Sequence, residues 1–223
     1  MPEPHIGTLN EGSLHAALKD WYAAPGDEFE VPLQGFVIDI KRGKQLIEIQ
    51  TGSFGAMGRK LDHLLEDYKV LLVYPVAAET FLHKPGASPR KSPKRGSVFS
   101  LFDEMVSLPT MLDHPNLTLD VVLAAVDKIQ VADPKARRGR GGFRTVDRRL
   151  REVIKRHRFE TVDDLLGLIP VEQLPNEFTT ADIAEVTGMS RDVARKIAYC
   201  FRPLGIFDEL RRTKAGYVYR LSI

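Results

Sequence analysis

Polar and apolar positions alternate in two short arms, Gly35 to Ile40 and Gln45 to Thr51, on either side of Lys41-Arg42-Gly43-Lys44. Val and Ile dominate both arms and Arg42-Gly43 is a turn signal, so the pattern predicts a β-hairpin. A loop that pairs Ile40 with Gln45 sets Asp39 opposite Leu46 and Val37 opposite Glu48. The two acids then share one sheet face as diagonal neighbours, with Gln50 one step along. A three-residue loop would send them to opposite faces. Before the hairpin, Thr8 to Tyr22 has a helical period, with Leu14, Ala17, Leu18 and Trp21 on one stripe that Glu11 extends. Thr8-Leu9-Asn10-Glu11 also has capping-box spacing, in which Glu11 only bonds the Thr8 amide. After the hairpin, Gly52, Gly55 and Gly58 lead into a helix from Arg59 to Tyr68, with Leu61, Leu64, Leu65 and Tyr68 inward. An apolar strand from Val70 to Val76 follows, giving the order helix, strand, strand, helix, strand.

Further along, Ser97 to Leu108 reads as an amphipathic helix and Leu117 to Val131 as one or two strands. Val146 to Arg156 and Asp163 to Leu168 read as helices. Thr179-Thr180-Ala181-Asp182 has the form of a helix cap, Ile183 to Thr187 of a short helix, Gly188-Met189 of a turn, and Ser190 to Phe201 of a longer helix. On the longer helix Val193, Ile197, Cys200, Phe201 and Leu204 form the apolar stripe, leaving Arg191, Asp192, Arg195, Lys196 and Tyr199 outward. Ile206 to Leu210 and Tyr217 to Ser222 form a hairpin with the cationic tip Arg211-Arg212-Thr213-Lys214-Ala215-Gly216.

Composition adds little until it is divided along the chain. The 223 residues suit one large or two smaller domains. With no run of 18 apolar residues and no signal-peptide pattern, the expectation is a cytoplasmic protein without a membrane partner. Cys200 is the only cysteine and sits in an apolar pattern, which excludes a disulfide or thiolate zinc site. The net charge of +2 conceals an asymmetry: 13 Lys plus Arg against 17 Asp plus Glu up to Gln130, then 19 against 13. The excess peaks between residues 135 and 158, where Arg144, Arg148 and Arg149 belong to an arginine-rich run suited to phosphate contacts. A second basic stretch, residues 84 to 96, holds three prolines and five cations and reads either as a DNA-gripping loop or as a disordered connector.

Asp39 and Glu48 together offer what Mg²⁺ or Mn²⁺ takes from a protein, one or two carboxylates with water and phosphate filling the other positions. The ordered elements and acids resemble the PD-(D/E)XK nuclease superfamily, the restriction-endonuclease-like fold, over about residues 8 to 78. The resemblance implies Glu11 as the helix acid, Asp39 and Glu48 as metal ligands, and Gln50 at the position usually held by lysine. Lys60 in the next helix is placed to take over that lysine's role. The C-terminal pattern, over about residues 143 to 223, resembles winged-helix DNA-binding domains. Arg191, Arg195 and Lys196 would lie on the recognition helix, and Arg212 and Lys214 on the wing.

The resulting expectation is an α/β chain with three parts: a nuclease-like mixed sheet flanked by helices (residues 1 to 132), a basic linker (133 to 142) and a winged-helix domain (143 to 223). Its function would be metal-dependent hydrolysis of DNA phosphodiesters, with DNA as partner and a homodimer as a compatible assembly. The rivals are a DNA-binding protein whose nuclease fold has lost activity, for which Gln50 is the warning sign, and an adaptor using both domains for protein contacts.

Overall fold

The computed structural model describes residues 12–135, 142–214 and 216–222. The chain begins with α1 (Ser13–Tyr22) and three strands, β1 (Glu28–Leu33), β2 (Phe36–Arg42) and β3 (Gln45–Ile49). These are followed by α2 (Gly58–Asp67), β4 (Lys69–His83), the two-residue β5 (Arg90–Lys91) and a short α3 (Phe102–Met105). Two long strands, β6 (Leu117–Ala132) and β7 (Phe143–Phe159), complete the larger sheet. The sheet has seven strands in the order β1-β2-β3-β4-β6-β7, with β5 pairing β4. β3 and β4 run parallel, as do β4 and β6, while the outer pairs are antiparallel. The α/β expectation thus holds as a mixed sheet covered by helices.

Two apolar layers sandwich this sheet. Leu14, Leu18 and Tyr22 of α1 pack on Ile40, Ile47, Ile49, Val73, Val122 and Ala124. Leu61, Leu64 and Leu65 of α2, with Phe102 and Met105 of α3, cover Leu46, Val70, Leu72, Leu119 and Val121 on the other side. The buried stripe of α1 therefore follows Leu14, Leu18 and Tyr22. Trp21, expected on it, is 46% exposed: the buried arc turns from Leu14 through Leu18 to Tyr22, and Trp21 falls just outside its margin. β1 was not predicted: Pro32 removes a ladder donor and argues against a strand, and the structure tolerates it because β1 is an edge.

The hairpin exists with a tighter turn than expected. Arg42 pairs with Gln45 and Ile40 with Ile47, so the register is displaced by two residues from the predicted one. A shift of two keeps every side chain on its face. Continued by one residue it would set Asp39 across from Glu48.

The largest correction concerns residues 146 to 156, which form the middle of β7 and not a helix. The β6/β7 ladder has irregularities between Leu123 and Ala124, Ala125 and Val126, and Ile129 and Gln130, and each adds one residue to β7. The half-buried positions of β7 include Asp147, Leu150, Val153 and His157, and the residue added at 151 sets Leu150 and Val153 on one face three apart, a spacing that imitates a helix. The extra residues Val146 and Ile154 are 43% and 47% exposed. The arginine-rich run therefore belongs to the edge strand of the large sheet. Ser97 to Leu108 is likewise only partly helical, a short 3₁₀ turn at Val98–Leu101 running into α3.

One buried polar network ties α1 to this strand pair. Asp120 of β6 is fully buried, receives two bonds from Arg158 at 2.8 and 3.0 Å, and accepts from the Tyr22 hydroxyl at 2.9 Å. Asp120→Asn would leave the guanidinium half-paired. Because the Arg158 side chain is 41% exposed and regains water, the expected loss is about 1–3 kcal/mol by urea melting.

The C-terminal unit contains α4 (Val162–Leu166), β8 (Phe178–Thr179), α5 (Thr180–Thr187), α6 (Arg191–Phe201), β9 (Phe207–Thr213) and β10 (Gly216–Leu221). Thr179 and Asp182 form the capping box of α5, Gly188 ends that helix at φ 66°, and the Ser190 hydroxyl caps α6. A left-handed backbone there suits glycine. The strands form a separate sheet in the order β8-β10-β9. Ala194, Ile197, Ala198, Cys200 and Phe201 are the buried residues of α6. Phe201 contacts both Phe207 and, at 5.9 Å between ring centroids, Phe102 of α3.

Candidate active site

The pairing of β2 with β3 ends at Ile40 and Ile47, and the carboxylates of Asp39 and Glu48 lie just beyond. Asp39 accepts from the Ile49 backbone N–H at 2.7 Å, and His15 Nε2 of α1 lies 3.1 Å from the same oxygen. Glu48 is 4% exposed, and its Oε2 accepts from Lys60 Nζ of α2 at 2.6 Å. That ammonium also donates to the Val37 carbonyl at 2.6 Å. The acid pair is thus held by one helix from each layer, α1 through His15 and α2 through Lys60. Glu48 Oε1 is buried without a hydrogen-bond partner.

The two acids differ in electrostatics. Burial, and then the charge on Asp39, push Glu48 up to about 7, against the opposing pull of Lys60. Burial works on Asp39 too, but the bond and charge of His15, with the Ile49 N–H, outweigh it and hold that carboxyl below its usual range. At neutral pH the site therefore pairs an ionised Asp39 with a Glu48 poised between its two forms. Burial and the neighbouring groups thus push the two carboxyls in opposite directions.

The remaining predicted positions fall unevenly. Lys60 reaches the site. Gln50 does not turn its amide to the acids: it donates to the Ser53 carbonyl at 2.7 Å and steadies the loop after β3. Glu11 and its capping-box reading lie outside the described residues. Among the described residues, no three His, Cys, Asp or Glu side chains are grouped to hold a metal. His15 was missed, although Leu14 and Leu18 on either side mark where α1 meets the sheet.

The predicted nucleic-acid contacts are also divided. Arg144 and Arg149 on β7 pair with Asp133 at 3.8 Å and Asp147 at 2.9 Å, while Arg148 has no carboxylate partner among the described residues. On α6, Arg191 and Arg195 are exposed. Lys196 is bound instead to Asp103 at 2.9 Å and Asp192 at 2.6 Å, so a lysine read as facing DNA bridges α6 to α3. Arg212 lies over the Tyr217 ring at 5.5 Å and Lys214 is exposed at the hairpin tip.

Among the described residues, no helix is long and apolar enough to cross a membrane. No solved structure matches the chain. It is 35% identical over 186 residues to an uncharacterized protein of Treponema pallidum (strain Nichols), an alignment covering 81% of this chain and 74% of that one. Residues 12–160, from the residue before α1 to the one after β7, match the model of the domain of unknown function DUF8091, and the chain belongs to that family.

Proposed function

We propose that the chain is a divalent-metal-dependent nuclease of the PD-(D/E)XK kind, with a C-terminal winged-helix unit that binds DNA. The observation that carries this reading is the buried Asp39–Glu48 pair with Lys60 on Glu48. The order α1, β1, β2, β3, α2, β4, with an antiparallel meander leading to a parallel strand, supports it. So does the order α4, β8, α5, α6, β9, β10 for a winged helix.

The donor set suits a hard cation. Two carboxylates are what Mg²⁺ commonly draws from a protein, and a buried carboxylate oxygen with no donor is costly unless a cation or water completes it. Asp39 and Glu48 would hold Mg²⁺ or Mn²⁺, which would supply charge neutralisation at the phosphate and a more acidic water. The chain's own groups do the rest. With Oε2 taken by Lys60, Glu48 Oε1 is the oxygen left to complete the cation, and the Lys60 ammonium would offset charge developing on the phosphoryl oxygens. His15 orients Asp39 and keeps it ionised.

Incubating the purified chain with single-stranded, duplex, nicked and branched DNA tests the proposal. Cleavage is expected with Mg²⁺ or Mn²⁺ and none in EDTA. Intact substrates under every metal condition would refute it.

A further inference from the structure

A cleft of about 260 Å³ opens beside the acid pair, between the amino end of α1 and the first third of β7. Its lining includes His15, Thr51, Thr145 and Arg148, and also Asp147, whose carboxylate is taken by Arg149 and the Ser13 hydroxyl. His15, whose Nε2 lies 3.1 Å from Asp39, is the residue that the cleft and the acid pair share. At the other end Arg148 pairs across the ladder with Lys128 of β6. Lys94, from the loop between β5 and α3, is the third member of this group: burial first, then the charges of Arg148 and Lys94, depress the pKa of Lys128.

The neighbouring cations are neutralised one by one. Lys91 and Arg95 share Glu79 at 2.7 and 3.4 Å, Arg151 faces Asp127 at 3.6 Å, and Arg149 faces Asp147 at 2.9 Å. Lys94, Lys128 and Arg148 have no carboxylate within ion-pair reach among the described residues. The loop carrying Lys94 is anchored, with Ser92 N–H on the Thr80 carbonyl at 2.7 Å and Gly96 N–H on the Ala77 carbonyl at 2.9 Å. A Cβ at Gly96 would stand 2.6 Å from Val76 Cγ1 and 2.9 Å from the Ala77 oxygen, so this anchorage requires glycine. Lys128 and Arg148 are thus held side by side by the ladder, with Lys94 on an anchored loop near enough to act on Lys128, and none of the three has a carboxylate partner among the described residues. That arrangement is unfavourable alone and favourable beneath a polyanion.

We infer that Lys94, Lys128 and Arg148, with the cleft that runs from Arg148 to His15, form a track for the phosphate backbone of the nucleic-acid strand entering the Asp39–Glu48 site. This deepens the nuclease reading and rests on it. The track lies outside the winged-helix unit, so the strand is gripped next to the scissile position as well as by the C-terminal unit.

The test is binding of fluorescein-labelled single-stranded and duplex DNA to the full chain in EDTA across a salt series. The variant Lys94→Gln, Lys128→Gln, Arg148→Gln should bind at least ~10-fold more weakly at moderate salt, with the slope of log affinity against log salt reduced by about 2 to 3. The control Lys91→Gln, Arg95→Gln removes two cations that share an acid, and its slope should change by less than about 1. The triple variant should melt no lower than the parent, because it loses mutual repulsion, so weaker binding will not reflect unfolding. An unchanged slope overturns the inference, as does equal displacement of DNA by polyglutamate. If Mg²⁺-dependent cleavage persists while the slope is unchanged, the track fails and the nuclease reading stands.

Discussion

Asp39→Ala or Glu48→Ala is expected to lower metal-dependent cleavage by at least ~10²-fold, while affinity for uncut DNA in EDTA stays within about twofold. Each acid is one of two carboxylates at the fork of β2 and β3 among the described residues, so its loss removes much of what would hold the cation. Neither lies on the basic track or on α6, so ground-state binding is spared. Glu48→Gln is the more delicate probe. Glu48 is raised from 4.5 to about 7 in the folded protein, chiefly by burial. The metal-free folded state therefore carries more protons than the unfolded chain between those values, and stability should fall as pH rises through that window. In EDTA, Glu48→Gln should abolish the fall and be more stable than the parent above pH 7, by about 3 kcal/mol at most. Parallel melting profiles from pH 4 to 8 would contradict the assignment of Glu48 as a strained acid.

Lys60→Met should be nearly as damaging, with kcat down ~10²-fold and KM little altered, because the ammonium's charge matters most as negative charge develops on the phosphate. Lys60 also draws the pKa of Glu48 downward. Without it Glu48 ionises only at higher pH, so the residual activity should shift its pH profile in the alkaline direction. Lys60→Arg should recover part of both effects, which a purely structural role for Lys60 would not predict. A rise in KM with kcat intact would instead mark Lys60 as a binding contact.

The hairpin, α2, α5 and α6 were legible in the sequence because local signals agreed there: β-branched arms around a glycine turn, a leucine stripe, capping residues and Gly188. The acid pair and Lys60 were legible for the same reason, being carried by those elements. What was hidden depended on distant partners. β7 imitates a helical pattern in part because pairing with β6 adds residues to it, one of which sets Leu150 and Val153 on the same face three apart. Lys196 has the composition of a DNA contact, and only the packing of α6 on α3 brings Asp103 to it. His15 gave no motif, since its role exists only once β2 and β3 part beneath α1. The displaced hairpin register did not harm the reading of the site, because an even slip keeps acids on the same face.

The two margins of the seven-stranded sheet differ from its interior in how they treat a neighbouring molecule. β7 presents a 17-residue open margin, long enough to recruit a strand from another copy and so propagate the sheet. Its arginines and lysines would repel an identical partner. At the opposite margin β1 is interrupted by Pro32 and by Glu30 at φ 52°, which spoil the hydrogen-bonding row. The cations of β7 would then keep copies apart in addition to the phosphate contacts proposed for them. Stripping the strand of charge wholesale should leave its added residues as the main obstacle to edge pairing and promote precipitation, whereas single neutral substitutions should keep the chain dispersed.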